Sequence, residues 1–233
     1  KSWDWCAAAE PAEETTTVEA PGPRQDWLAP LHDMYCKREL YDIVLTVGDH
    51  SLFAHKVVLA MASKMWRAEF GRSGMAESKS KEVEVADVSF VALKPIVEYA
   101  YTGKLELSGS TVVAIIQAAN LLQVVAVERA AVDFLVERLD AGNVLSAMAL
   151  GTHLAAGALG RELRDKSRAW LNKNFGLVAA EPSFLALPAA EVAELVESDE
   201  LEAREEEVFE SVINWVKEDE AGRKAELDQL LPL

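Results

Sequence analysis

Basic side chains are scarce in this chain, with 23 lysines and arginines against 39 aspartates and glutamates and a net charge of −16 over 233 residues. Nucleic acid is held through many phosphate contacts from lysine and arginine, and anionic membranes also call for a basic face, so the balance argues against both as partners. Long apolar runs are missing too. None approaches the roughly 20 residues of a membrane-spanning helix. The opening Lys1-Ser2-Trp3-Asp4-Trp5 lacks the basic-then-apolar pattern of a signal peptide, and it lacks an initiator Met, so a fragment is expected. Cysteine is limited to Cys6 and Cys36. That count points to thiols in a reducing compartment, cytoplasm or nucleus, rather than to a disulfide framework.

Catalytic signatures are absent as well. The four histidines stand at 32, 50, 55 and 153, with no His-Glu-x-x-His and no cysteines at zinc spacing. Gly71-Arg72-Ser73-Gly74 lacks the length and the lysine of a phosphate loop. The acidic triplet Glu205-Glu206-Glu207 opens a helix, where carboxylates complement the dipole. No cofactor and no metal are expected, and the chain is read as a binding protein, not an enzyme.

Half of the residues are hydrophobic, enough for one or two substantial cores. Residues 1–25 mix proline, acid and threonine with little apolar periodicity, the composition of a disordered leader. Its Trp3 and Trp5 fit either a docking peptide or a tail of no consequence. From Trp27 the pattern turns helical: Trp27, Leu31 and Met34 fall at i, i+4 and i+7, with Leu28 and Tyr35 widening the stripe. A lone helix of that length cannot stand in water, so it packs either on its own domain or on a second copy. Asp42-Ile43-Val44-Leu45-Thr46-Val47 and Ser51-Leu52-Phe53-Ala54, separated by Gly48-Asp49, read as a hairpin. Asp42 stands where a carboxylate drawn into a core needs donors, and His55 and Lys56 are the candidates.

Short helices over Val57–Ala62 and Met65–Phe70 follow, then a loop, the strand Val83-Glu84-Val85, and a helix over Ser89–Tyr101 with Ser89 as N-cap. Pro95 within that helix implies a late start or a kink. In the loop, Met75-Ala76-Glu77-Ser78 sets an apolar knob beside a carboxylate. Such a pair can seat a partner helix, or the Met can tuck back onto its own domain. Lys104–Leu107 reads as a strand. Ser110 is expected to cap a buried apolar helix, and Val127–Leu139 to form the next. Asp140-Ala141-Gly142-Asn143 breaks the helical run, and everything beyond it is helical.

Tyr41-Asp42-Ile43, Phe53-Ala54-His55-Lys56 with Leu59-Ala60, Met75-Ala76-Glu77-Ser78, Tyr101-Thr102-Gly103-Lys104-Leu105 and Ala118-Ala119-Asn120-Leu121-Leu122-Gln123 resemble, in order and spacing, the BTB (POZ) domain of Kelch-like proteins. Asn172–Phe175, Phe184-Leu185 and Glu207-Val208-Phe209 through Trp215-Val216-Lys217 resemble the BACK domain that follows it. The resemblance implies an α+β fold: a leader over 1–25, a BTB domain over 26–140 (a small sheet capped by helices) and an all-α, incomplete BACK domain over 141–233. It implies a homodimer interface through Trp27, Leu28, Leu31, Met34, Tyr35, Asp42, His55 and Lys56, the last three forming a structural charged pocket. Met75, Glu77 and Ser78, with Asn120 and Gln123 as weaker candidates, are implied to contact the N-terminal domain of a cullin-3 scaffold, helped by the first BACK helices.

The implied function is a substrate adaptor of a cullin-3 ubiquitin ligase, with its protein substrate held by a region absent from this chain. The alternative is a self-associating scaffold, a transcriptional corepressor or cytoskeletal adaptor, that does not bind cullin. Trp170 and Trp215, on apolar helix faces, read as core.

Overall fold

The computed structural model describes residues 16–19, 28–71 and 81–223. Trp27, Met75, Glu77 and Ser78 lie outside the described residues. The chain divides into two compact units, Lys1–Leu135 and Val136–Leu233. The division precedes the break at Asp140 because Leu139 and Ala141 already pack against the core of the second unit.

In the first unit, β2 (Ile43–Val47) and β3 (His50–Ala54) form an antiparallel hairpin in which Val47 pairs with His50. The two-residue turn works because Gly48 takes φ +55°, a backbone conformation closed to most side chains. The strand β4 (Glu82–Glu84) joins β2 in parallel, giving the order β3-β2-β4. Ile43 and Leu45, two apart on β2, are fully buried, as strand alternation requires. A second, two-stranded sheet pairs β1 (Thr16–Glu19) antiparallel to β5 (Lys104–Leu107). Thr16–Glu19 thus form a strand inside the stretch expected to be a disordered leader. The β-branched Thr16, Thr17 and Val18 favour extended backbone, and β5 supplies the partner.

The helices of this unit are α1 (Leu28–Lys37), α2 (Lys56–Ala62), α3 (Lys64–Gly71), α4 (Phe90–Thr102), α5 (Val112–Leu121) and α6 (Val125–Glu137). Ser89 caps α4 by accepting the Ala92 N–H, and Gly103 closes it at φ +69°. The helix runs unbroken from Phe90, so Pro95 does not delay its start. The carbonyl that Pro95 leaves without a donor belongs to Val91, in the exposed first turn, where water can serve it. Leu93, Ile96 and Val97 of α4 and Ile115 and Ile116 of α5 are fully buried, each worth about 1.5–3 kcal/mol of removed apolar surface. Thr111, not Ser110, flanks the start of α5, and its hydroxyl turns back to accept the Ser108 N–H. Cys36, expected as a thiol, is disulfide-bonded; a cysteine count carries no information on distance.

The second unit consists of α7 (Val144–His153), α8 (Ala158–Lys173), α9 (Phe175–Val178), α10 (Pro182–Leu185), α11 (Ala189–Val196), α12 (Glu205–Glu218) and α13 (Glu220–Arg223). Asn143 and Asp140 lock the turn before α7 by exchanging side-chain and backbone hydrogen bonds at 3.0 and 2.9 Å. Gly151 on α7 and Gly160 on α8 bring this pair of helices unusually close. A Cβ at the first would collide with the Arg164 backbone, and one at the second with the Leu154 carbonyl. Phe175, Phe184, Val192, Leu195, Val212 and Trp215 form the core. Trp215 Nε1 donates to the Leu187 carbonyl at 2.9 Å, and Trp170 packs against the same cluster, so neither tryptophan lines a slot.

Candidate interaction surfaces

The first surface grows from the end of α1. That helix ends in a Schellman turn: Arg38 takes φ +55°, its N–H bonds the Tyr35 carbonyl, and the Glu39 N–H bonds the Met34 carbonyl. The Glu39 carbonyl is thereby presented to His55 Nε2 at 3.0 Å. A carbonyl can only accept, so Nε2 carries the proton and Nδ1 is left to accept the Tyr101 hydroxyl proton at 2.7 Å. The same hydroxyl oxygen accepts the His55 backbone N–H at 2.8 Å. Tyr35 stacks on the Tyr101 ring with centroids 4.6 Å apart. Burial pushes both phenols well above the ordinary tyrosine range; the Glu98 charge adds to this at Tyr35, while the His55 N–H acts against it at Tyr101. The result is a closed knot of α1, α2 and α4, with His55 only 6% exposed.

Asp42 corrects the expectation of a carboxylate drawn into that pocket. It is exposed, and its Oδ1 accepts the Lys56 backbone N–H at 2.7 Å, capping α2 from outside. Its position just before β2, outside the buried Ile43, sets it on the rim. Lys56 places its ammonium 5.6 Å from the Phe70 ring centroid. The buried histidine is therefore held by a tyrosine and a carbonyl, not by the aspartate. Leu31 and Met34 of α1 are half-buried and Tyr35 is buried, while Leu28 opens the helix. On α2, Val57 and Met61 stand exposed at i and i+4. In the sequence these two are only part of a short apolar helix signal, and periodicity alone cannot tell an inward stripe from an outward one.

The second surface lies at the turn from α5 to α6. Gln123 sits at φ +54° in a Schellman turn, with its N–H on the Asn120 carbonyl and the Val124 N–H on the Ala119 carbonyl. A glutamine there pays a strain that glycine would not. Its side chain is exposed, flanked by Leu121 at 47% and Val125 at 51% exposure. Asn120 differs: its amide donates to the buried Glu128 carboxylate at 2.9 Å, so it holds the turn together from within. The bond spans the turn between two helices, and no local pattern announces it. Leu121 and Val125 were not singled out from sequence, because each falls in a helix rich in buried apolar residues.

Ser63 joins this turn to the start of α3. Its hydroxyl donates to the Leu122 carbonyl and accepts the Trp66 N–H at 3.0 Å, capping α3. The helix α3 ends at Gly71, immediately before the segment that carries Met75, Glu77 and Ser78. One buried serine thus fixes the N-terminal end of α3, opposite its Gly71 end, to the Gln123 turn.

Comparison with known proteins gives two consecutive matches: residues 31–139 to the BTB/POZ domain and residues 150–233 to the family described as BTB And C-terminal Kelch. Among curated relatives, Kelch-like protein 28 of Homo sapiens is 39% identical over 195 residues, 83% of this chain and 33% of the relative. Kelch repeat and BTB domain-containing protein 8 of Danio rerio is 33% identical over 206 residues, covering 87% of this chain and 33% of the relative. Kelch-like protein 7 of Mus musculus is 33% identical over 199 residues, or 85% and 33%. The chain spans about a third of the length of these relatives.

Proposed function

Because this chain belongs to the BTB–BACK proteins related to the Kelch-like group, we propose that it is a homodimeric adaptor docking the N-terminal domain of a cullin-3 scaffold within a ubiquitin ligase. The observation that carries this reading is the turn from α5 to α6, which leaves Leu121, Gln123 and Val125 exposed around a positive φ at Gln123. Two apolar side chains around a strained polar residue form a compact patch, and strain retained at a surface turn is a mark of function. In this reading Met75 fills a groove on the cullin and Glu77 sets the register. Asn120 supports the turn without touching the partner.

A second copy covers the α1 stripe with the exposed Val57 and Met61 of α2, doubling the number of cullin and substrate sites. The adaptor contributes proximity and no bond chemistry of its own. Its protein substrate is held by parts of the protein outside this chain, in the cytoplasm or nucleus.

Titration calorimetry of the cullin-3 N-terminal domain against three proteins tests the proposal. Wild type binds. Glu77→Lys loses about 2–4 kcal/mol of binding, the size of a hot-spot change. Gln123→Gly relieves the positive φ, so it melts higher by about 1 kcal/mol of stability while binding several-fold more weakly. Misfolding cannot produce that opposition of signs. Absence of wild-type binding at high micromolar cullin refutes the cullin reading and leaves the self-associating scaffold. Light scattering at the monomer mass refutes the dimer.

A further inference from the structure

A cleft of about 560 Å³ lies wholly within the second unit, between α9 and one face of α12. Its floor is apolar: Phe175, fully buried and packed edge-on against Phe184 at 5.8 Å, and Ala179. One wall is Gly176, Leu177 and Ala180. Leu177 is 63% exposed, a large apolar side chain left at the rim of an open cleft. The other wall is the row Glu207, Glu210 and Asn214, at i, i+3 and i+7 on α12. Glu202 and Lys173 also line it, with the polar Asn174 and Ser211.

The charges are unevenly balanced. Arg204 meets Glu207 at 2.8 Å and holds its carboxyl below the usual range. Glu202 and Glu210 form no close ion pair among the described residues, although the Arg204 charge also reaches Glu210. Between positions 194 and 210 the chain carries nine carboxylates and one arginine. Among the described residues Lys173 is the one cation of the lining against three carboxylates, so the cleft suits a segment that brings cations at its edges and an aliphatic side chain between them. A second copy is disfavoured, since it would bring an identical acidic face, and nucleic acid is a polyanion.

We propose that this cleft docks a basic amphipathic segment of another protein, with lysine or arginine meeting Glu202 and Glu210 and an apolar side chain covering Leu177. The site goes beyond the cullin reading and shares none of its residues. The probe is a fluorescein-labelled lysine–leucine amphipathic peptide of about 15 residues, long enough to form helix on a surface. It is titrated against the whole chain by anisotropy, in parallel with amide NMR of the wild type. Glu202→Lys/Glu210→Lys should weaken binding about tenfold, and Leu177→Ser several-fold. The control Glu106→Lys/Glu137→Lys makes the same change in net charge at two other exposed positions and should change binding by no more than about twofold.

The Gly176 amide should shift on addition of peptide, a footprint that needs no variant to fold. Equal weakening by the two double reversals, an unmoved Gly176 amide, or no binding to wild type overturns the proposal. A cullin-3 titration of the same variants keeps the two readings apart, because Glu202→Lys/Glu210→Lys leaves the Gln123 patch intact.

Discussion

Replacing Tyr101 by Phe removes one oxygen and asks whether the His55 knot is as consequential as its geometry implies. Two hydrogen bonds vanish, from the His55 N–H at 2.8 Å and to its Nδ1 at 2.7 Å, while the ring and its stack on Tyr35 remain. His55 is almost fully buried, so water cannot readily replace the hydroxyl. A buried polar group without a partner costs about 1–3 kcal/mol, and two of them with partial relaxation give about 2–4 kcal/mol. That is a large share of the roughly 5–15 kcal/mol that holds a domain folded. Tyr35→Phe is the matched control. It deletes a phenol on the same stack that makes no hydrogen bond among the described residues, and it should cost under about 0.5 kcal/mol. Urea unfolding followed by circular dichroism gives the global change, and hydrogen exchange at the His55 amide gives the local one. If the two variants lose the same stability, or the His55 amide stays protected in Tyr101→Phe, the knot is not what secures the end of α1.

Gly151→Ala sets two effects against each other: alanine gains about 1 kcal/mol of helix propensity, but its Cβ meets the Arg164 backbone and costs about 1–3 kcal/mol. A lowered melting temperature is expected, and a raised one shows the helix pair is looser than described. Tyr35, Tyr99 and Tyr101 all hold their protons more tightly when folded, chiefly through burial. The stability linked to them is therefore complete below the unfolded value of about pH 10 and falls as pH rises beyond it, by up to about 1.4 kcal/mol per pH unit for each group. Urea titrations from neutral to alkaline pH should show this decline, reduced in Tyr35→Phe; a flat profile contradicts the burial of these phenols. Asp42→Ala should cost about 0.5–2 kcal/mol through the lost cap on α2, with Asp42→Asn nearly neutral in the same denaturation assay.

Local rules carried much of the fold. The hairpin at Gly48-Asp49, the caps Ser89 and Gly103, and the buried pairs Ile43/Leu45 and Leu105/Leu107 all follow from turn chemistry and alternation. What failed needed a partner distant in sequence. Thr16–Glu19 become a strand only because β5 lies some ninety residues further on. His55 turned out to answer to Tyr101, 46 residues away, while nearby Asp42 was the obvious choice on charge alone. At the surface, Gln123 was picked from its motif, but Leu121, Val125, Val57 and Met61 were invisible. An outward-facing apolar residue looks like a core residue until the neighbouring helices are placed.

The pairing of β1 with β5 bears on how this molecule can be handled at the bench. Four residues shield the open margin of a short strand whose backbone donors and acceptors would otherwise be unsatisfied. Trimming the protein to begin at α1, a tempting way to discard a tail of poor composition, would strip that cover. The bared margin would recruit any extended peptide within reach, and the shortened product would tend to precipitate or exchange strands between molecules even with every core residue intact.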